Sequence, residues 1–110
     1  MSLDFSLYCE IDNKEIELFE TNITHNLGEM ASAAGIYKCL WRAPENGFEK
    51  AGDIITLLEN GLKNLKKDPE KFNKLSAPNG WGTYVQFVPW VEEVLRACRT
   101  YPSSKIYTSK

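Results

Sequence analysis

His25 is the only histidine in the chain, and it stands between Thr24 and Asn26. A Thr-His-Asn run beside a helix N-terminus offers hydroxyl, imidazole and amide groups next to backbone N–H donors, a set able to hold an anion or move a proton. Thr24 and Asn26 are also what a helix cap requires, so a structural use competes with the chemical one. A second constellation is Pro78-Asn79-Gly80-Trp81-Gly82. Its two glycines let a backbone approach a ligand while the Trp81 indole stacks on it; the competing use is a turn pinned by a buried tryptophan. Where the two loops meet, His25, Asn26, Asn79 and Trp81 would build a small-ligand or nucleotide-processing site. Trp41-Arg42 joins an aromatic to a guanidinium, the composition of many interaction hot spots, against a core tryptophan with an arginine facing the helix dipole. Trp90 lies on the flank of an apolar helical stripe, where a large indole is expected to be partly exposed.

Other reactive residue types do not assemble into a known chemistry. Cys9, Cys39 and Cys98 are widely spaced and never form a Cys-x-x-Cys pair, which argues against a disulfide framework and a zinc site. All three fall on or beside apolar faces and read as small buried hydrophobes. Glu92 and Glu93 are adjacent on a helix and point apart, unlike an acid/base pair. No Gly-x-Ser-x-Gly elbow, phosphate-binding loop or His-Glu-x-x-His run occurs. The expectation is a chain with no catalytic residues, no cofactor and no metal. Lysines 63, 66, 67, 71 and 74 suggest a phosphate-contacting surface, but Glu59, Asp68 and Glu70 intervene and make a solvated face the default.

The formal charge of −2 hides an asymmetry, because residues 1–29 hold seven acids and one lysine and the remainder carries the opposite sign. An overall basic footprint is absent, so nucleic acid is not expected as a partner. The 110 residues, 43% hydrophobic and 25% charged, match one compact domain covering 1–110. Neither a basic leader followed by an apolar segment nor a membrane-length apolar run is visible, which predicts a cytoplasmic protein with no membrane association.

The elements that would position these residues follow from periodicity. Alternation places Phe5, Leu7, Cys9 and Ile11 on one face of a strand; Asp12-Asn13-Lys14 turns the chain, and Ile16 and Leu18 face inward on a second strand. Asn26 as N-cap with Glu29 predicts a helix to about Trp41, and Asp53 a second helix with an apolar stripe from Ile54 to Leu65. Asp68-Pro69 opens a short helix to Leu75. Thr83 and Gln86 have capping-box spacing before the clearest helix, with Pro89 inside it predicting a kink or a late start. Lys105 to Thr108 reads as a strand that joins the hairpin and brings Lys105 near Glu10 or Glu17. The fold class is α+β: an N-terminal β-hairpin, three to four helices and a C-terminal strand completing a small antiparallel sheet.

The series Asn22-Ile23-Thr24-His25-Asn26, Gly35-Ile36-Tyr37, Leu40-Trp41-Arg42, Asn79-Gly80-Trp81-Gly82-x-Tyr84 and Ala97-Cys98 resembles a group of small uncharacterised bacterial and phage-associated proteins over most of the chain. The resemblance implies a bacterial accessory or immunity-type factor and transfers no reaction. The leading expectation is therefore a non-catalytic domain that binds another protein through Trp41, Arg42, Trp81 and Trp90 or through the acidic hairpin. The alternative is a ligand site at His25, Asn26, Asn79 and Trp81. An exposed strand edge leaves homodimerisation open.

Overall fold

The computed structural model describes residues 2–110 and has the expected α+β architecture. Strands β1 (Ser2–Ile11) and β2 (Lys14–Thr24) form the hairpin, and β3 (Lys105–Ser109) lies antiparallel on the other side of β1, giving the order β2-β1-β3. The hairpin closes through Asp12 and Asn13, at φ 53° and 63°. Two left-handed residues give the turn whose twist matches the flanking strands, and Asp and Asn tolerate that conformation best after glycine.

Pairing sets which face is inward. Leu3, Phe5 and Leu7 are fully buried and stand opposite Ile23, Thr21 and Phe19 of β2, while Leu7 also faces Ile106 of β3. The register shifts between Leu7 and Tyr8, whose partners are Phe19 and Glu17, so Leu18 is the extra residue of a β-bulge. This corrects the expectation that Ile16 and Leu18 face the core. Ile16 does share a face with Cys9, but that end of the hairpin runs past the helices: Ile11 is 55% and Ile16 39% exposed, and Cys9 is only half-buried. β2 also continues through Asn22-Ile23-Thr24, which the sequence suggested was a lead-in to a helix.

Helices cover one face of the sheet. The single helix expected up to Trp41 is two, α1 (Gly28–Ala34) and α2 (Tyr37–Trp41), because Gly35 turns left-handed at φ 84° and ends the first. A 3-10 turn, His25–Leu27, precedes α1 and is capped by Thr24, so Asn26 is not the N-cap. Asp53 likewise caps backwards: it lies in a 3-10 turn, Ala51–Ile54, and accepts from the N–H groups of Glu49 and Lys50. α3 (Ile55–Lys67) buries Leu58, Gly61, Leu62 and Leu65, and α4 (Pro69–Asn73) has the predicted Asp68 cap and N1 proline. α5 (Tyr84–Thr100) begins on the predicted capping box, Thr83 with Gln86, and runs through Pro89 without a late start. The missing proline N–H deprives the Val85 carbonyl of its helical partner, and Val85 is 76% exposed to water, which can replace it.

Among the described residues no helix is long and apolar enough to cross a membrane.

Candidate functional site

The short helices α1 and α2 place His25 and Trp41 against each other. The Trp41 indole N–H donates to His25 Nδ1 at 3.0 Å, and this assigns the proton of the neutral ring to Nε2. Tyr37 lies one helical turn before Trp41 and stacks on it, with ring centroids 5.4 Å apart and 16° between planes. Behind them Trp41 approaches Trp90 at 6.5 Å, and Trp90 stacks with Phe87 at 6.1 Å. His25, Gly28, Ser32, Tyr37, Trp41 and Lys110 line an open pocket of about 490 Å³. Gly28 packs beside the Tyr37 ring, where even a Cβ would stand at an ordinary contact distance of 3.5 Å.

Of the charged residues only Lys110 lines this pocket, and it is tied to a neighbouring ion pair. Glu45 bridges Arg42, at 2.9 Å, and Lys110, at 3.5 Å. The hydrogen bond from Arg42 holds the Glu45 carboxyl below the usual carboxylate range, and the same bond pushes the Arg42 guanidinium up. Both side chains are solvated, so the pair adds little stability.

The other loop does meet the His25 segment, but through different atoms from those a shared site would use. Asn26 Nδ2 donates to the Trp81 carbonyl at 2.8 Å, and Gly82 packs against this segment. A Cβ on Gly82 would come within 3.0 Å of Asn26 Cβ and 3.1 Å of Thr24 Cγ2, and its φ of 111° also favours glycine. Asn79 Oδ1 accepts from Trp81 N–H at 3.0 Å, Ala77 N–H donates to the Gly82 carbonyl at 2.9 Å, and Gln86 Oε1 accepts from Gly82 N–H at 3.1 Å. The loop is therefore fixed by hydrogen bonds on both sides, yet its indole points away from the protein: Trp81 is 72% exposed.

The seven sequence-selected residues thus separate by surroundings. His25, Trp41 and Arg42 lie at or beside the pocket; Asn26 and Asn79 serve as struts for the Trp81 backbone; Trp81 alone among the tryptophans faces water. Trp90, expected on the flank, is 6% exposed and donates from its indole N–H to Thr21 Oγ1 at 3.0 Å, because β2 extends far enough to cover it. Trp41 is 2% exposed. Gly28, Ser32, Tyr37 and Lys110 complete the pocket and were not selected from sequence; the four-residue spacing of Tyr37 and Trp41 was the available signal.

Among the described residues, the indole is the only side chain hydrogen-bonded to His25, so no carboxylate orients the ring and no hydroxyl or thiol is activated by it. Burial pushes the thiols of Cys39 and Cys98 up to about 12, far from a reactive thiolate. No group of three His, Cys, Asp or Glu side chains is placed to hold a metal ion among the described residues. Comparison with protein-family models, curated proteins and solved structures finds no match.

Proposed function

We propose that this chain is a small cytoplasmic protein-binding domain of the accessory or immunity type, and that it engages its partner by seating Trp81. One observation carries the reading: a 72% exposed indole stands on a backbone fixed by Asn26, Asn79 and Gln86. Hydration of so large an apolar side chain is unfavourable, and burying most of an indole contributes on the order of 3–4 kcal/mol before the losses of association. A pinned loop has little conformational entropy left to lose, which is the economy of a preorganised anchor. Val85, 76% exposed in the first turn of α5, is a second exposed apolar side chain close in sequence to Trp81.

Affinity capture with the wild-type chain and with a Trp81→Ala/Val85→Ser variant tests the proposal. A protein retained by the first and lost from the second, at equal thermal stability, is the expected result. Retention by both would remove Trp81 from the interface, and no retention even after cross-linking would count against a protein partner.

The pocket beside His25 supports a second reading, a small-ligand site. Its favouring observation is the Trp41 hydrogen bond, which leaves the imidazole an Nε2–H donor beside Ser32, Tyr37 and Lys110. Nuclear magnetic resonance (NMR) titration with nucleotides and metabolites tests it: shifts of the His25 and Trp41 side-chain signals are expected, and a panel that moves neither sinks it.

A further inference from the structure

The two edges of the sheet are treated differently. Residues 49–52 cover the start of the β3 edge, where Ile106 N–H donates to the Glu49 carbonyl, and the turn leading into it, where Ala51 N–H donates to Ser104 and Gly52 N–H to Pro102, each at 2.9 Å. Among the described residues, the backbone of Lys14–Thr24 makes no backbone hydrogen bond apart from its pairing with β1. In a two-residue hairpin the pair flanking the turn, here Ile11 and Lys14, is the hydrogen-bonded one, and pairs alternate from there. Carried through the bulge, that alternation directs the N–H and C=O groups of Glu15, Glu17, Glu20 and Asn22 to the open edge. These residues stand opposite Glu10, Tyr8, Ser6 and Asp4, so their side chains occupy the face of the sheet away from the helices. The intervening Ile16, Phe19 and Ile23 lie on the helix side and are only partly covered.

We infer that the β2 edge docks an extended basic segment of a partner protein, added as a fourth strand. Charge selects the occupant. Among the described residues no cation lies within ion-pair distance of Glu15, Glu17 or Glu20; Lys105, across the sheet, is 3.8 Å from Glu10 instead. A strand with Lys or Arg at alternate positions would set them beside these glutamates, and apolar residues between them would extend the Ile16–Phe19–Ile23 row. Tyr8 and Tyr107 line a groove of about 540 Å³ with Glu15 and Glu17 on this face and offer ring surfaces to the cations. A second copy of this chain is disfavoured, because pairing β2 with β2 places glutamates against glutamates. The inference shares with the protein-binding proposal the premise of a protein partner, but its surface is separate from Trp81.

The test uses the whole chain, labelled with nitrogen-15, and two synthetic peptides that alternate valine with lysine or valine with glutamate. The lysine peptide is expected to shift the amide signals of Lys14–Thr24 and to slow hydrogen exchange at Glu15, Glu17, Glu20 and Asn22; the glutamate peptide does neither. Glu15→Lys/Glu17→Lys/Glu20→Lys should weaken the lysine peptide by about tenfold and reverse the preference, since three cross-strand pairs change sign. Asn22→Pro, tolerated where the N–H faces the open edge, should weaken it with no change in charge. Trp81→Ala should bind the peptide as wild type does, which separates this outcome from the Trp81 reading. Equal affinity for both peptides, or protection outside β2, would overturn the inference. So would protection of the same amides by rising protein concentration alone, which would assign the edge to a second copy.

Discussion

Gly61 lies inside α3 and faces Ile36, the fully buried residue at the joint between α1 and α2. A methyl group at position 61 would sit 2.3 Å from Ile36 Cγ2 and 3.3 Å from its Cδ1, but an ordinary 3.5 Å from its Cβ. Intrinsic helix propensity favours alanine over glycine by about 0.5–1 kcal/mol, whereas overpacking a filled core costs about 1–3 kcal/mol. Because Ile36 is fully buried and the contact falls on the methyl at its branch point, the steric effect should win, so Gly61→Ala is expected to destabilise the protein by about 1–2 kcal/mol and lower Tm by several degrees. The sign should reverse once the obstacle is removed. In an Ile36→Ala background, itself about 2–5 kcal/mol less stable, the added methyl meets only a Cβ and should stabilise by up to about 1 kcal/mol. Urea unfolding of the four proteins of this cycle measures both steps. A stabilising Gly61→Ala in the wild-type background, or the same sign in both backgrounds, would refute the packing argument. Because Ile36 immediately precedes Tyr37, the destabilised single variant should also shift the NMR signals of Tyr37 and Trp41.

Trp41→Phe keeps an aromatic ring under Tyr37 but removes the donor to His25; a loss of about 1 kcal/mol beyond the packing change is expected, with nitrogen shifts of His25 reporting a changed tautomer balance. Thiol labelling of the native protein should modify Cys9 first, while Cys39 and Cys98 react only as the chain unfolds, because burial holds both near 12; equal native rates for all three would contradict the core assignment. The N–H groups of Lys50 and then Glu49 hold the Asp53 carboxyl below its ordinary 3.8, so its stabilising effect is complete above that value and is lost as pH falls through the lower, folded one. The stability difference between wild type and Asp53→Ala, followed by urea unfolding from neutral to strongly acid solution, should therefore shrink only at the acid end; a constant difference would show that the carboxylate is not responsible.

Local signals were legible where neighbours in sequence decide the outcome. Thr83 with Gln86 and Asp68 with Pro69 mark helix starts because each cap is satisfied within four residues. The alternation of Phe5 and Leu7 needed only one covered face, whereas Cys9 and Ile11, read on the same face, lie where the hairpin runs past the helices. Gly35 was visible as a residue but not as a break, since a glycine inside an apolar helical pattern ends a helix only when the next segment finds better packing; here Ile36 turns inward onto Gly61. The bulge at Leu18 was hidden for the same reason, because an extra residue is recognised only against the opposing strand. In the candidate site, the meeting of the Asn26 and Trp81 segments was a condition of the ligand reading and not a prediction, and the burial of Trp90 depended on how far β2 reached across α5.

The packed run Tyr37–Trp41–Trp90–Phe87 has an optical consequence. Two indoles at 6.5 Å and tilted by 48° are close enough, and sufficiently non-parallel, for their electronic transitions to couple. The near-ultraviolet circular dichroism of the protein should carry a strong signature of that pair, distinct from the far-ultraviolet signal of the helices. Trp81, alone in water, contributes little to it and dominates the red edge of the emission spectrum instead. A single cuvette can thus distinguish loosening of the interior from an event at the exposed loop, without any label.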